Sequence, residues 1–418
     1  MSQQEKDSSR VMLYSLAAAF TLSHLDRQIL NITLNDIGVE FDLSDLQLGS
    51  LSGIAFAFVY VLFGFPVARI TRRGNRKTIL VAALSLWSAM TALIGMAGSF
   101  ATVFLARVGV GIGEAGCVPP SHSMIVDAYP PEKRASALSF YSAGTNIGAF
   151  FAFLMGGILA SQYGWRVAFF AAGAPGLLLA LWMVFALKDP TFQAVPEEPA
   201  HAQTNSKTLI RQLIADTSSC HALIGAALTA MIGFGALAWV SVYLIRNHGM
   251  STAQAGTYLA FAIGVAGALG TWLGGVFSDR LGKRDPTWRF KFVALTILLA
   301  KPFSVVFYLL DNTTLALIVF IIPAVTGSMF AGPTFSHLYS RVEASDRPMV
   351  TALFMFMVNL IGLGAGPVLV GWMSDSLSLS HGIDALRWAL IILQIVGLWA
   401  ALHFWLAGCA VKSDQVVS

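Results

Sequence analysis

Long apolar runs, separated by short polar or glycine-containing stretches, recur from residue 11 to residue 406. They predict helices near 11–34, 48–67, 79–97, 101–128, 137–162 and 167–187, then near 219–244, 256–277, 290–310, 314–339, 349–373 and 385–406. At about 1.5 Å of rise per residue, each is long enough to cross roughly 30 Å of hydrocarbon. The pattern predicts an all-α membrane protein of twelve transmembrane helices in two six-helix bundles, residues 1–187 and 219–418. Between them, 188–218 carries Pro190, Pro196, Pro199 and the Glu197–Glu198 pair with no sustained apolar run, the composition of a surface connector. Its last part, near 207–216, has the pattern of a short amphipathic helix lying on the membrane face.

Composition agrees with the pattern and narrows the class. Of 418 residues, 56% are hydrophobic and only 11% charged, against about 25% charged in an ordinary soluble chain. A soluble globular protein is excluded. Cys117, Cys220 and Cys409 sit in or beside apolar runs without metal or redox spacing, so no disulfide framework is expected. Glu5 and Asp7, followed by an apolar run holding His24, Asp26 and Arg27, argue against a cleaved signal peptide. Neither a G-x-S-x-G turn nor His/Asp ligand spacing is present, so the chain does not read as an enzyme, and no cofactor or nucleic-acid partner is expected.

The net charge of +4 matters less than its placement. Arg69, Arg72, Arg73, Arg76 and Lys77 follow the second span, and Arg280, Lys283, Arg284, Arg289 and Lys291 follow the eighth. Lys133, Arg134, Lys188, Lys207, Arg211, Arg341 and Arg347 fall on the same side. The opposite loops hold only Arg166, Arg246 and Arg387 among Asp36, Glu40, Asp42, Asp45, Asp311, Asp375 and Asp384. Basic residues near span ends stay on the cytoplasmic side, so both termini are expected there, in a cell inner (plasma) membrane.

The two five-charge loops fall at equivalent places in the two halves. The stretch Gly275-Val-Phe-Ser-Asp279-Arg280-Leu-Gly282-Lys283-Arg284 resembles the G-x-x-x-D-R-x-G-[KR]-[KR] loop of the major facilitator superfamily. Its first-half counterpart, 68–77, is degraded, with Arg72 where that family usually has Asp. Such a loop places an acid and several bases at a helix end, where ion pairs can form in one state and break in another. Asp279, Arg280, Arg76 and Lys77 are therefore the expected conformational switch.

Span four is more specific: Arg107-Val-Gly-Val-Gly111-Ile-Gly113-Glu114-Ala-Gly116, then Pro119-Pro120 and Ser121 to Asp127. With His24-Leu-Asp26-Arg27, Gly164-Trp165-Arg166, Gly366-Pro367 and Ser374-Asp375, this resembles the Spinster branch of the superfamily. The resemblance implies the major facilitator fold, alternating access, and a sphingosine-1-phosphate-like or lysophospholipid cargo. In that superfamily spans one, four, seven and ten line the central cavity, which would bring Asp26, Arg107 and Glu114 together.

Ionisable groups inside a membrane are costly and usually mark a pathway. Here they are Asp26, Arg27, Arg107, Glu114 and Lys301. Arg107 and Glu114, seven residues apart, project from nearly one helix face. Arg27 lies about 100° around the helix from Asp26, so at most one of the two points straight at span four. Low dielectric favours a protonated carboxyl and a nearby guanidinium favours the ionised form, so a substrate anion that captures the arginine frees the acid to take a proton. Asp26 and Glu114 are the expected proton sites. Arg27, Arg107 and Glu114, with the aromatics Tyr60 and Trp239, are the expected substrate contacts, because a planar guanidinium suits an anionic head group.

Other readings stay open at this point. The charges could form a permanent ion-pair cluster, and the cargo could be a drug or organic anion. Span five lacks the glycine-proline signature of superfamily antiporters, which weighs against a drug exporter. A lipid-sensing receptor would bind without turnover. Lys301 fits packing against a polar neighbour better than substrate contact. The expected partners are a lipid-like small molecule, protons and membrane lipids, with the protein a monomer.

Overall fold

The computed structural model describes residues 3–71, 75–187, 189, 206–343 and 346–416. Arg72, Arg73 and Lys188, and the connector as far as residue 205 apart from Asp189, lie outside the described residues. All regular structure among the described residues is helical. In chain order the helices are α1 Gln3–Phe41, α2 Asp45–Ser52, α3 Ile54–Thr71, α4 Arg76–Ile94, α5 Phe100–Glu114, α6 Val118–Ala128, α7 Pro131–Ser142, α8 Gly144–Tyr163 and α9 Trp165–Ala186. There follow α10 Ser206–Ala215, α11 Thr217–His248, α12 Thr252–Leu259, α13 Ala266–Arg284, α14 Trp288–Leu309, α15 Thr313–Thr326, α16 Ala331–Ser340, α17 Arg347–Met357, α18 Gly366–His381 and α19 Ala385–Val416. Wider π-helical turns join α12 to α13 at Ala260–Val265 and α17 to α18 at Val358–Ala365.

Among the described residues, 10 helical stretches are long and apolar enough to cross a membrane, the last being the 63-residue run Met349–Val411. Local chemistry sets their ends. Ser44, Ser99 and Ser251 each open a helix through a capping box with Gln47, Thr102 and Gln254, which satisfies backbone donors the first turn would otherwise leave bare. Gly164 separates α8 from α9 at φ +86°, a region closed to residues with a Cβ. Pro119 and Pro120 occupy the first turn of α6, where a missing N–H costs nothing, and the break at 115–117 leaves Glu114 as the last residue of α5.

The chain divides into two compact units, Met1–Val195 with Leu244–Gly264, and Pro196–Tyr243 with Val265–Ser418. In the first, α1 packs on α8, α4 on α5 and α9, and α3 on α5. Small residues let these backbones touch: a Cβ on Gly148 would stand 2.3 Å from the Thr21 carbonyl oxygen, and one on Gly173 2.6 Å from that of Ser88. In the second unit, α14 packs on α15 and α19 and α18 on α19. Leu209 and Leu213 of α10 are buried there against a core that includes Phe290, Leu338, Phe354 and Phe404, so α10 is a docked amphipathic helix.

Candidate functional site

The first unit gathers four of the five intramembrane charges. Arg27 Nε on α1 donates to Glu114 Oε2 at the end of α5, at 2.6 Å. Ser23, one turn earlier on α1, donates its hydroxyl to the same oxygen at 2.7 Å. The i, i+4 spacing of Ser23 and Arg27 puts both on the α1 face that meets α5. Asp26, rotated away from that face, receives the Thr91 hydroxyl of α4 on Oδ2 at 3.0 Å. Arg107 Nη1 donates to the Asp26 backbone carbonyl at 3.3 Å, one level above the Glu114 pair. Of the two neighbours, Arg27 is the one that faces α5.

Aromatic faces complete the cluster. The Arg27 guanidinium lies 4.7 Å from the Phe56 ring centroid and 4.8 Å from that of Tyr60, while Arg107 lies 5.1 Å from Phe56. Both rings are on α3 and stack on each other. Cation–π contact of this kind steadies a guanidinium in a medium poor in water. Burial separates the roles: Glu114 is 0%, Asp26 1% and Arg107 2% exposed, whereas the Arg27 side chain is 15% exposed. Asp26 Oδ1, Glu114 Oε1 and Arg107 Nε have no hydrogen-bond partner among the described residues. Unused polar capacity at this depth is costly in a purely structural cluster.

Trp239 belongs to the second unit, where it is fully buried and its indole N–H donates to the Pro367 carbonyl at 2.9 Å. Lys301, also there, donates to Gln394 Oε1 at 3.0 Å, the polar neighbour its sequence context favours. Neither His24 nor His122 touches the four charges. His24 bonds the Phe20 carbonyl and His122 packs edge-on to Tyr141.

The basic loops differ from each other. Arg76 is fully buried at the start of α4, between Asp127 at the end of α6 and Asp189 after α9, with Ser123 Oγ at 3.1 Å. Lys77 donates its backbone N–H to Asp189 at 3.3 Å and its ammonium to the Val184 carbonyl at 2.7 Å. Asp279 and Arg280 in the last turns of α13 are exposed and form no ion pair among the described residues.

Two groups of contacts escaped the sequence reading. One is Ser23 and Thr91, which hold the charges in place; Ser23 had a signal in its spacing from Arg27, while Thr91 has none beyond being polar in an apolar helix. The other is the seam between α8, α1 and the segment Leu244–Gly264. Arg246 donates to Asn35 Oδ1 at 3.0 Å and Asp45 Oδ1 at 2.8 Å, and Thr252 Oγ1 lies 3.4 Å from Asp36. A Cβ on Gly256 would stand 2.3 Å from the Phe153 carbonyl oxygen, and one on Gly157 2.8 Å from that of Thr252. The backbones of α8 and α12 are therefore in direct contact.

Comparison with known proteins places this geometry. The family model of the Major Facilitator Superfamily matches residues 16–360. An MFS-type efflux pump of Mycolicibacterium smegmatis is 30% identical over 409 residues, covering 96% of this chain and 93% of that protein. A hexuronate transporter of Bacillus subtilis is 24% identical over 395 residues, covering 93% of each chain. The crystal structure of a bacterial homolog to the human lysosomal transporter Spinster, in an inward-facing and unoccupied conformation, superposes with a TM-score of 0.88 at 28% identity over 99% of both chains. The chain belongs to the Major Facilitator Superfamily of membrane transporters and, within it, is similar to the Spinster proteins.

Proposed function

We propose that this transporter works by alternating access and moves an amphipathic, anionic or zwitterionic lipid-like molecule, of the lysophospholipid or sphingosine-1-phosphate kind, in a proton-coupled cycle. The observation that carries the reading is the Arg27–Glu114 pair. Its Nε edge is taken by a fully buried carboxylate while the Arg27 side chain as a whole keeps 15% exposure. An anion that binds the remaining N–H groups competes with Glu114 for the Arg27 charge. Arg107, at 2% exposure, is enclosed in this conformation and supplies counter-charge, so the anion meets Arg27 first. Tyr60 and Phe56 flank it with apolar surface suited to the start of a hydrocarbon chain.

Asp26 and Glu114 are the proposed proton carriers. Asp26 is in no ion pair among the described residues, and a buried carboxyl that no guanidinium grips directly is the group for which taking a proton removes the most unfavourable charge. Glu114 joins it when Arg27 is drawn to substrate. Trp239 would enter the substrate contacts only after losing its bond to Pro367, and Asp279, Arg280, Arg76 and Lys77 are the proposed switch at the basic-loop ends.

Twelve crossings are supported by α1, which is 39 residues long, and by Met349–Val411, whose 63 residues suffice for two crossings turned at Gly382–Asp384. With the basic loops inside, both termini are cytoplasmic and the protein sits as a monomer in the plasma membrane. The six-helix bundles are proposed as 1–187 and 219–418 with a cytoplasmic linker at 188–218.

A second reading, an organic-anion or drug exporter, is favoured by the names of the hexuronate and efflux relatives. A thermal-shift series on the purified protein separates the two. Lysophosphatidate or sphingosine-1-phosphate should stabilise the wild type and lose that effect in Arg27→Gln. Stabilisation by glucuronate or galacturonate, with none by the lipids, would replace the lipid assignment with the organic-anion one.

A further inference from the structure

A second charged node lies in the other unit, where the connector helix meets the membrane-crossing helices. Docking of Leu209 and Leu213 brings α10 onto the core beside Phe290 and Leu338, and the chain then turns at Asp216 into α11. Asp216 Oδ2 caps α11 by accepting the Ser219 N–H at 3.0 Å, and it also accepts the Ser219 hydroxyl. Two groups from the far end of α16 converge on the same oxygen: His337 Nε2 at 3.9 Å and Arg341 Nε at 3.7 Å. His337 Nε2 lies 3.4 Å from Ser219 Oγ, and its ring is buried edge-on to Phe290.

The charged groups that face His337 are Asp216 from the α10–α11 turn, Arg341 from beyond α16 and Arg289 from α14. Burial, the largest influence on Asp216, pushes its carboxyl up. The close approach of His337, the hydrogen bonds from Ser219 and the Arg341 charge outweigh it, and Asp216 is held well below the usual carboxylate range. Asp216 is thus a fixed anion over the whole physiological span. The variable partner is His337, the side-chain type whose charge changes nearest neutrality.

We propose that Asp216, His337 and Arg341 form a pH-sensitive latch that fastens the connector helix α10 to the end of α16. With His337 neutral, its 3.9 Å approach to Asp216 is too long for a hydrogen bond. A proton on His337 converts the approach into a charge-assisted bond between opposite charges and draws the turn at Asp216 onto α16. Acidification on the basic-loop side, cytoplasmic in the orientation proposed above, therefore tightens α10 and alkalinisation releases it. The latch is built from groups separate from the central charges, so its failure would leave the transport reading standing, and the reverse.

Hydrogen exchange on the full-length protein in lipid nanodiscs, without substrate, tests it. The readout is protection of residues 208–215, corrected for intrinsic rates, at about pH 5 and about pH 8. The wild type should show about tenfold more protection at the lower pH, the scale of one charge-assisted hydrogen bond. His337→Gln should flatten that ratio to near one. Asp216→Asn should do the same while keeping the α11 cap, since Asn caps as well as Asp. A wild-type ratio near one, or a ratio unchanged in both variants, would overturn the latch.

Discussion

Arg27 and Glu114, 87 residues apart in sequence, meet at 2.6 Å, the Glu114 side chain fully enclosed and the Arg27 side chain partly exposed. The asymmetry makes the two residues unequal as targets. Arg27→Ala strands a buried anion, for which about 3–5 kcal/mol of destabilisation is expected. Glu114→Gln keeps Ser23 as a donor and should cost far less. The double variant Arg27→Gln with Glu114→Gln should recover most of the lost melting temperature, since no unpaired charge is left. Thermal unfolding of the three purified variants checks the order.

Asp26→Asn should leave stability nearly unchanged, because an amide oxygen still accepts from Thr91 and Asp26 forms no ion pair among the described residues. Its effect should appear in the pH dependence of substrate binding, which should flatten while affinity at one pH changes little. Titration of a labelled ligand at several pH values reads this.

Arg76 and Arg280 occupy corresponding basic loops but should respond differently. Arg76 is 0% exposed between two carboxylates, so Arg76→Ala should cost about 3 kcal/mol or more. Arg280 is exposed, with no ion pair among the described residues, and Arg280→Ala should leave the melting temperature within about 1 °C, as for an ordinary surface change. An effect of Arg280→Ala on transport without one on stability would mark it as a switch residue.

Gly256→Ala should part α8 from α12, because the new methyl would stand 2.3 Å from a backbone oxygen that cannot swing aside. The expected readout is a several-fold faster modification of a cysteine introduced at Thr252. Gly267→Ala, where nothing lies within 4 Å, is the matched control and should leave the rate unchanged.

Asp216 gives a pH prediction with a definite sign. Its carboxyl is held below the usual range in the folded protein, so its stabilisation is fully present above the unfolded value near about 4 and is lost as pH falls below that toward the folded value. Melting temperature against pH should therefore drop on the acid side, and Asp216→Asn should make that drop shallower.

The all-helical membrane class was legible because hydrocarbon thickness and the 3.6-residue repeat act directly on sequence, while the breaks within long apolar runs, which leave 10 membrane-length stretches among the described residues, were not. The central charges were legible for the same reason: Asp26, Arg27, Arg107 and Glu114 stand out where almost everything is apolar. Which partner each takes was not, since a one-residue step turns a side chain by about 100° and only packing decides that Arg27 faces α5 while Asp26 faces Thr91. The role of the Pro119–Pro120 pair was not legible either, since proline bends a helix interior but starts a new helix as readily, and position in the helix is a tertiary outcome. The α8–α12 seam depends on glycines far apart in sequence, beyond any local pattern.

The central claim, that the buried carboxyls couple protons to movement of a lipid-like anion, is tested most directly in proteoliposomes carrying labelled lysophosphatidate, with and without an imposed pH gradient. The wild type should exchange the label across the sealed membrane and respond to the gradient. Asp26→Asn should keep exchange and lose the response. A gradient response that persists in both Asp26→Asn and Glu114→Gln would contradict the account.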